Sequence, residues 1–235
     1  MRDITKSSMT NELLSGGTEP ESVNLRELLP RYAFIGPETL SKKQGEAPFP
    51  NVLICGAPGV GKGHIAKQLG SLGIPVEGFS KMMKSAGEAS NFPSEKSLPE
   101  KILETQEWLI AQQKGAPLVW EGHLVIYPDE APTLVTAHLA KLMPTAIIYM
   151  ICDPNDIFEG QKWRYEEEAR RLQYSSIDEV ADRQAEQFLA LQIITSKTGI
   201  PIYLVKNSRG IPIGETTDQI FGILQTHLPD ICKKP

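Results

Sequence analysis

A glycine-rich octapeptide constrains the fold of this chain more than any other sequence feature. It reads Gly56-Ala57-Pro58-Gly59-Val60-Gly61-Lys62-Gly63, and it lies between the apolar run 52–55 and a helix-like segment. Glycines let consecutive backbone N–H groups curl around an anion, and a helix that starts there points its positive dipole end at the same anion. The pattern predicts a phosphate-binding loop (P-loop, or Walker A motif) in which Lys62 reaches the β- and γ-phosphates of a nucleotide. A glycine-rich turn that binds nothing is the alternative interpretation.

The position after the lysine departs from the usual form of such loops. Gly63 stands where a Ser or Thr usually supplies a hydroxyl to Mg²⁺, so we expect the metal ion to be held by another group. Glu121 is the candidate, because it ends an apolar run and a carboxylate at the end of a buried strand can hold Mg²⁺ directly or through water. A solvated acid at a strand end is the alternative.

The chain after residue 48 alternates short apolar runs with longer periodic segments, a pattern typical of α/β domains. It predicts a parallel five-stranded sheet flanked by helices, with right-handed crossovers. The predicted strands are 51–55, 74–76, 117–120, 146–152 and 201–205. The predicted helices are 62–72, 98–114, 131–141, 155–173, 176–198 and 216–227.

The first 48 residues differ in composition from the rest, being rich in Ser, Thr, Glu, Gly and Pro. We expect an N-terminal extension over residues 1–48, partly flexible and able to recruit a protein partner. The remaining residues, 49–235, then form the phosphate-binding domain. A chain of 235 residues with 40% hydrophobic residues is long enough for one such core.

Charge and composition exclude several classes of function. The net charge of -5 leaves no basic excess to release counterions, so we expect no binding to nucleic acid or to acidic membranes. No run of about 18 apolar residues is present, and the cytoplasm is the expected location. The three cysteines, Cys55, Cys152 and Cys232, have no zinc-ligand spacing and are expected to be reduced structural thiols.

The loop variant Gly-x-Pro-Gly-x-Gly-Lys-Gly resembles that of adenylate kinases and related nucleoside monophosphate kinases. The layout of residues 51 to about 228 is most like the archaeal type of adenylate kinase, which implies a helical lid at about 155–175. Three further segments carry the resemblance: a strand that ends in an acid with His two positions later, a strand that leads into the lid, and a basic lid helix, at 119–123, 148–154 and 161–175. The resemblance implies ATP and Mg²⁺ as cofactors and a nucleoside monophosphate as acceptor, with AMP the first candidate.

The resemblance also implies roles for individual residues. Arginines of the charged segment near 162–171 would close over the transferring phosphoryl group, and losing such a group can cost about 10³- to 10⁵-fold in rate. A surface helix carrying Glu–Arg pairs four residues apart explains the same residues. Asn207 lies in a segment that resembles the adenine-contacting loop, and His64 stands where many relatives have Thr. The predicted catalytic residues are Lys62, Arg164, Arg170 and Arg171, the predicted nucleotide-binding residues are 56–64 and Asn207, and the predicted metal ligand is Glu121.

Two departures from this family bear on the acceptor. No arginine lies between Arg31 and Arg164, although adenylate kinases use one there to hold the acceptor phosphate, and Lys96 cannot make the same bidentate contact. Gly160 stands about where the family has an arginine. The leading prediction is therefore ATP-dependent phosphoryl transfer to a small acceptor. A catalytically reduced ATP-binding regulatory module and a kinase for a non-nucleotide metabolite are the alternatives.

Overall fold

The computed structural model describes residues 22–37, 39–41, 49–90, 96–127, 132–168 and 173–232. In chain order these ranges form β1 (Ser22–Asn24), α1 (Leu25–Leu28), β2 (Ala33–Phe34), β3 (Thr39–Ser41), β4 (Asn51–Gly56), α2 (Lys62–Ser71), β5 (Val76–Gly78), α3 (Phe79–Ser90), α4 (Leu98–Gln113), β6 (Leu118–Glu121), β7 (Val125–Ile126), β8 (Thr133–Leu134), α5 (Ala137–Ala140), β9 (Ala146–Ile151), α6 (Pro154–Glu168), α7 (Ile177–Thr198), β10 (Ile202–Lys206) and α8 (Ile213–His227).

The five apolar runs form one parallel sheet with the strand order β10-β9-β4-β6-β5, which confirms the predicted fold class. β4 is buried along its whole length and β9 along all but its last residue. Strands covered on both faces read as continuous apolar runs rather than as alternating ones, which is why the sequence indicated them.

Helices cover both faces of this sheet. Leu53 and Cys55 of β4 belong to a hydrophobic cluster that includes residues of α3, α4 and α7. Val52 and Ile54 point to the opposite face and belong to a second cluster with residues of α2 and α8. The alternation follows from the two-residue period of a strand.

The strand order creates a crevice at the carboxyl end of β4. The connection that leaves β4 runs through α2 to β5 at one edge of the sheet, whereas the one that leaves β9 runs through α6 and α7 to β10 at the other edge. Neighbouring strands whose connections diverge in this way leave space for a ligand outside their carboxyl ends. Gly56 and Ile151 lie at these ends.

The described part of the predicted extension packs on the domain. Leu25, Tyr32 and Leu40 are buried in the same cluster as β4. β1 pairs with β3, and β2 joins β8 and β7 in a separate three-stranded sheet. The close approach requires a glycine at position 36, since a Cβ there would lie 2.4 Å from the backbone nitrogen of Ala137. The domain boundary at residue 48 and a partner for residues 1–48 stay predictions.

One predicted helix is replaced by other structure. In place of the predicted helix 131–141, residues 132–141 contain strand β8 and the short helix α5, because Thr133 and Leu134 pair with β2 and β7. Tertiary pairing therefore overrides the local helical pattern there. In the described part of the chain, none of the helices has the length and apolar character that crossing a bilayer requires.

Candidate functional site

The glycine-rich loop leaves β4 at Gly56 and enters α2 at Lys62. Gly56, Gly59 and Gly61 have φ angles of 151°, 93° and 93°, which residues other than glycine rarely adopt. A Cβ on Gly56 would also lie 2.5 Å from the carbonyl oxygen of Met150. The side chains of Ala57 and Val60 are fully buried and fix the loop to the core. These buried side chains therefore hold the loop backbone in its curled shape.

The start of helix α2, directly after this loop, has the features of an anion-binding site. Among the described residues no side chain caps the helix at Gly61, whose carbonyl accepts from the N–H groups of His64 at 2.9 Å and Ile65 at 3.1 Å. The side chain of His64 is exposed. The positive end of the helix thus faces the crevice at the carboxyl ends of β4 and β9, where an anion is favoured.

Lys62 folds back over the loop. Its Nζ donates to the carbonyl oxygens of Gly56 at 2.9 Å and Ala57 at 3.2 Å. Burial lowers the pKa of Lys62 to about 8, although Cys55 and Glu121 act in the opposite direction. A half-buried ammonium that donates to neutral carbonyl oxygens within the described structure gains stability from an anion, so the donor set of this loop fits a nucleotide phosphate.

Glu121 and His123 lie beside the loop, after β6. Glu121 is half-buried, and its charge is close enough to raise the pKa of Lys62. Burial lowers the pKa of His123 to about 4, with a further contribution from Lys62, while a hydrogen bond to the Gly56 backbone opposes this shift. His123 is therefore neutral at pH 7.

Glu121 is the predicted metal ligand at this edge of the sheet. Within the described ranges no group of three or more His, Cys, Asp or Glu side chains has the arrangement of a metal site. Mg²⁺ usually keeps several waters and binds through one or two carboxylates together with phosphate oxygens, so Glu121 is compatible with it. The assignment of Glu121 as a metal ligand stays a prediction.

Asn207 follows β10 directly and lies against the loop. Its Nδ2 donates to the carbonyl oxygen of Val60 at 2.7 Å, and its own N–H donates to Ile151 at 2.8 Å. A Cβ on Gly61 would lie 2.4 Å from the same Nδ2. Asn207 thus ties β9 and β10 to the loop, and its contact with adenine stays a prediction.

Tyr174 is a loop contact that sequence reasoning missed. Its hydroxyl donates to the carbonyl oxygen of Pro58 at 3.2 Å, and the residue is 3% exposed. Gln161 of α6 fixes its backbone, because Nε2 donates to the Tyr174 carbonyl and Oε1 accepts from the N–H groups of Gln173 and Tyr174. The start of α7 is therefore coupled to the loop.

Arg183 is the second residue that was missed. It lies on α7, with its guanidinium carbon 4.2 Å from the ring centroid of Tyr127 and 5.7 Å from that of Tyr174. It forms an ion pair with Glu179, four residues earlier. In the sequence this spacing reads as an ordinary surface pair on a helix. The tertiary fold brings Arg183 close to Tyr127 and Tyr174, and Tyr174 in turn contacts the loop.

The predicted lid arginines are only partly within the described structure. α6 covers Pro154–Glu168, and Ile157 at its start contacts the loop, since a Cβ on Gly59 would lie 3.0 Å from its Cγ2. Arg164 lies on this helix, but its side chain is not among those described. Arg170 and Arg171 lie outside the described residues. The catalytic role of all three stays a prediction.

Lys96, which stands in the stretch without arginine, and two apolar residues of α3 have contacts within the fold. Lys96 forms an ion pair with Glu104 of α4. Phe79 and Met82 are 5% and 4% exposed and belong to the core, and the Phe79 ring lies 4.2 Å from that of His138. Burial lowers the pKa of His138 to about 3, so it is a neutral core residue.

No protein-family model matches the chain, and no curated protein matches it. Solved structures show weak similarity. A sugar kinase from Janibacter sp. HTCC2649 has 13% identity and a TM-score of 0.45 over 80% of this chain and all of that one. A shikimate kinase from Bacteroides thetaiotaomicron has 12% identity and a TM-score of 0.44, over 75% of this chain and 98% of the other. A thymidylate kinase from Candida albicans has 16% identity and a TM-score of 0.41, over 79% and 94%. Similarity at this level carries no functional information.

Proposed function

We propose that this protein is an ATP-dependent phosphotransferase, which transfers the γ-phosphoryl group of Mg-ATP to a small acceptor. The observation that supports this most is Lys62, whose half-buried ammonium lies over a loop built on three glycines with positive φ at the start of α2. The loop opens into the crevice at the carboxyl ends of β4 and β9, where the connections of the two strands diverge. Parallel sheets of this kind bind ligands in such crevices.

The residues of the loop bind and orient the triphosphate. The backbone N–H groups at the start of α2 and the ammonium of Lys62 neutralise the phosphate charge, and Mg-ATP supplies the transferable phosphoryl group. Asn207 and Tyr174 keep the loop in one conformation through their bonds to Val60 and Pro58. Glu121 would hold Mg²⁺, directly or through water. Preorganised groups of this kind act by positioning and electrostatics, which dominate phosphoryl transfer.

Arginine side chains stabilise the charge that spreads over the transferring group. Arg183 joins Arg164, Arg170 and Arg171 as a candidate for this role, because its guanidinium lies 4.2 Å from the ring of Tyr127 and 5.7 Å from that of Tyr174, whose hydroxyl contacts the loop. Its side chain is 17% exposed, so its position is fixed before substrate binds. A fixed cation is more effective than a mobile one, since the protein does not reorganise during the reaction.

The acceptor is a small molecule, and a nucleoside monophosphate of the AMP type is the first candidate. The resemblance of the loop to adenylate kinases favours it. The missing arginine between Arg31 and Arg164 and the ion pair of Lys96 with Glu104 favour a non-nucleotide metabolite, or a regulatory module that binds ATP without efficient turnover. These candidates differ in the second substrate and share the ATP site.

Calorimetry with Mg-ATP, followed by a coupled assay for ADP release, tests the proposal. The wild-type protein should bind Mg-ATP, and Lys62→Met should weaken binding about 10- to 100-fold, as expected when charge-assisted hydrogen bonds are lost. Turnover with AMP, with other nucleoside monophosphates or with hydroxylated metabolites identifies the acceptor class. Binding of ATP without turnover across this panel favours the regulatory module, and equal ATP binding by wild type and Lys62→Met contradicts the ATP site itself.

A further inference from the structure

The contacts that hold Arg183 continue away from the loop to the N-terminal part of the chain. Glu186 lies three residues after Arg183 on α7, and its Oε2 accepts a hydrogen bond of 2.8 Å from the hydroxyl of Tyr127. Its Oε1 lies 2.9 Å from Nη2 of Arg31. Its backbone carbonyl accepts a hydrogen bond of 3.1 Å from the hydroxyl of Tyr32.

These contacts form one continuous path to the phosphate loop. The ring of Tyr127, held by Glu186, is the surface on which the Arg183 guanidinium lies at 4.2 Å. The same guanidinium faces Tyr174, whose hydroxyl bonds to Pro58 of the loop. We call Arg31, Tyr32, Tyr127, Arg183 and Glu186 the Glu186 cluster.

We propose that Glu186 is a positioning residue, which ties residues 31–32 to Tyr127 and thereby sets the position of Arg183 against Tyr174, the residue that contacts Pro58 of the phosphate loop. The proposal rests on the proposed ATP site and adds to it a dependence on the N-terminal segment. A segment whose composition indicated an extension would then tune the response of the site to the γ-phosphate.

The two links through the Glu186 carboxylate differ in strength. The bond from Tyr127 is charge-assisted, and the Glu186 side chain is only 18% exposed, so this link is shielded from water and strong. The side chain of Arg31 is 62% exposed, so its ion pair with Glu186 is screened and weaker. Of the two residues that the Glu186 carboxylate holds, Tyr127 is therefore the more firmly held. Its ring supports the Arg183 guanidinium together with the ion pair to Glu179, and Arg31 modulates this support.

The ratio of the ADP and ATP dissociation constants, measured by calorimetry with Mg²⁺ present, tests the inference. In the proposed function the loop binds the phosphates of both nucleotides, whereas Arg183 acts on the γ-phosphoryl group, which only ATP carries. A displaced Arg183 should therefore weaken the binding of ATP more than that of ADP. Tyr127→Phe keeps the ring and removes the hydroxyl, and Glu186→Gln removes the charge. Each should lower the preference for ATP over ADP by about three- to tenfold, the effect of one charge-assisted hydrogen bond. Arg31→Met should lower it by about twofold.

Two further variants make the result specific. Lys141→Met removes the ion pair between Lys141 and Glu107. Lys141 precedes β9, at the end of the sheet opposite to the loop, so this variant should leave the preference for ATP over ADP unchanged. In an Arg183→Met background, Glu186→Gln should have no further effect, because residues that act through one group are not additive. Melting temperatures of all variants are recorded, and Tyr127→Phe decides the question where Glu186→Gln does not fold.

The outcomes separate this inference from the proposed function. A wild-type protein that binds neither nucleotide contradicts the ATP site and, with it, the role of Glu186. If the wild type binds ATP but the cluster variants weaken ATP and ADP equally, or change only the melting temperature, Glu186 is structural and the inference is wrong while the ATP site stands. A full Glu186→Gln effect in the Arg183→Met background also overturns it.

Discussion

Lys62 is an ammonium group in an environment that disfavours its charge. Burial lowers its pKa from 10.5 to about 8 in the folded chain without nucleotide. The unfolded chain therefore binds more protons than the folded chain between pH 8 and 10.5, and the contribution of Lys62 to the free energy of unfolding rises with pH in this window. Below pH 8 the unfavourable contribution is fully present, so the loop is less stable without its anion.

We predict that the difference in unfolding free energy between Lys62→Met and wild type is largest near pH 7 and shrinks as pH rises through 8 to 10.5. Methionine has a similar length and no charge, so the variant is the more stable protein at pH 7 without nucleotide. Urea unfolding at a series of pH values measures this difference, and the other titrating groups cancel in the comparison. Parallel curves for the two proteins would contradict the shift in the pKa of Lys62.

Gly61 and Gly63 provide a matched pair of substitutions two residues apart. Gly61 has a φ of 93° and faces Asn207, whereas Gly63 lies within α2, where a Cβ would meet nothing within 4 Å. Gly61→Ala should lower the unfolding free energy by about 1–2 kcal/mol from backbone strain alone, and the clash with Asn207 adds to it. Gly63→Ala should raise it by about 0.5–1 kcal/mol, the gain of alanine over glycine in a helix. Urea unfolding of both variants checks the opposite signs.

At this scale the sequence predicts local geometry and misses contacts between distant residues. The loop glycines and Lys62 were identified because a run of eight residues defines both the turn and the start of the helix. Arg183 and Tyr174 were not, because their neighbours Tyr127 and Pro58 lie 56 and 116 positions away in the chain. No local spacing records such a contact.

At the scale of elements, the junction between α6 and α7 depends on one side chain. Gln161 makes three hydrogen bonds to the backbone of Gln173 and Tyr174. Gln161→Leu leaves these groups without a protein partner, and we expect a loss of about 1–3 kcal/mol in local stability, the cost of unsatisfied polar groups.

Hydrogen exchange measures this loss directly. The amide of Tyr174 should exchange faster in Gln161→Leu, whereas amides of β4 in the core should not change. Gln192→Leu, at an exposed position on α7, is the control and should leave both unchanged. Equal protection of Tyr174 in the variant and wild type would show that α7 holds its own start without α6.

The same scale shows why some elements were predictable. Four of the five strands were identified because they read as short apolar runs, and two of them, β4 and β9, are buried along all or nearly all of their length. β5 (Val76–Gly78) overlaps its predicted run 74–76 only at Val76 and contains Glu77. The segment 131–141 was assigned to a helix because its apolar spacing fits one, but Thr133 and Leu134 pair with Ala33 and Phe34 of β2, far earlier in the chain. The partner strand lies in the segment assigned to an extension, so no sequence argument pointed to this pairing.

For the whole molecule, the position of residues 22–41 decides how many folding units the chain has. Their composition indicated an appended extension, yet Leu25 and Leu40 are completely buried in the cluster that also contains Leu53 of the central sheet. Buried leucines at such positions contribute as core residues do, whatever the composition around them. A segment that shares a core with the sheet should unfold together with it.

We therefore predict that Leu25→Ala destabilises the whole protein, by about 2–5 kcal/mol, as leucine-to-alanine substitutions in cores do. Leu53→Ala in β4 should have an effect of the same size, and Leu72→Ala, at a leucine that is 47% exposed, should change the free energy by no more than about 0.5 kcal/mol. Urea unfolding followed by both tryptophan fluorescence and circular dichroism should give one coincident transition for each variant. A neutral Leu25→Ala beside a destabilising Leu53→Ala would instead show that the segment is an independent extension and that the domain begins near residue 49.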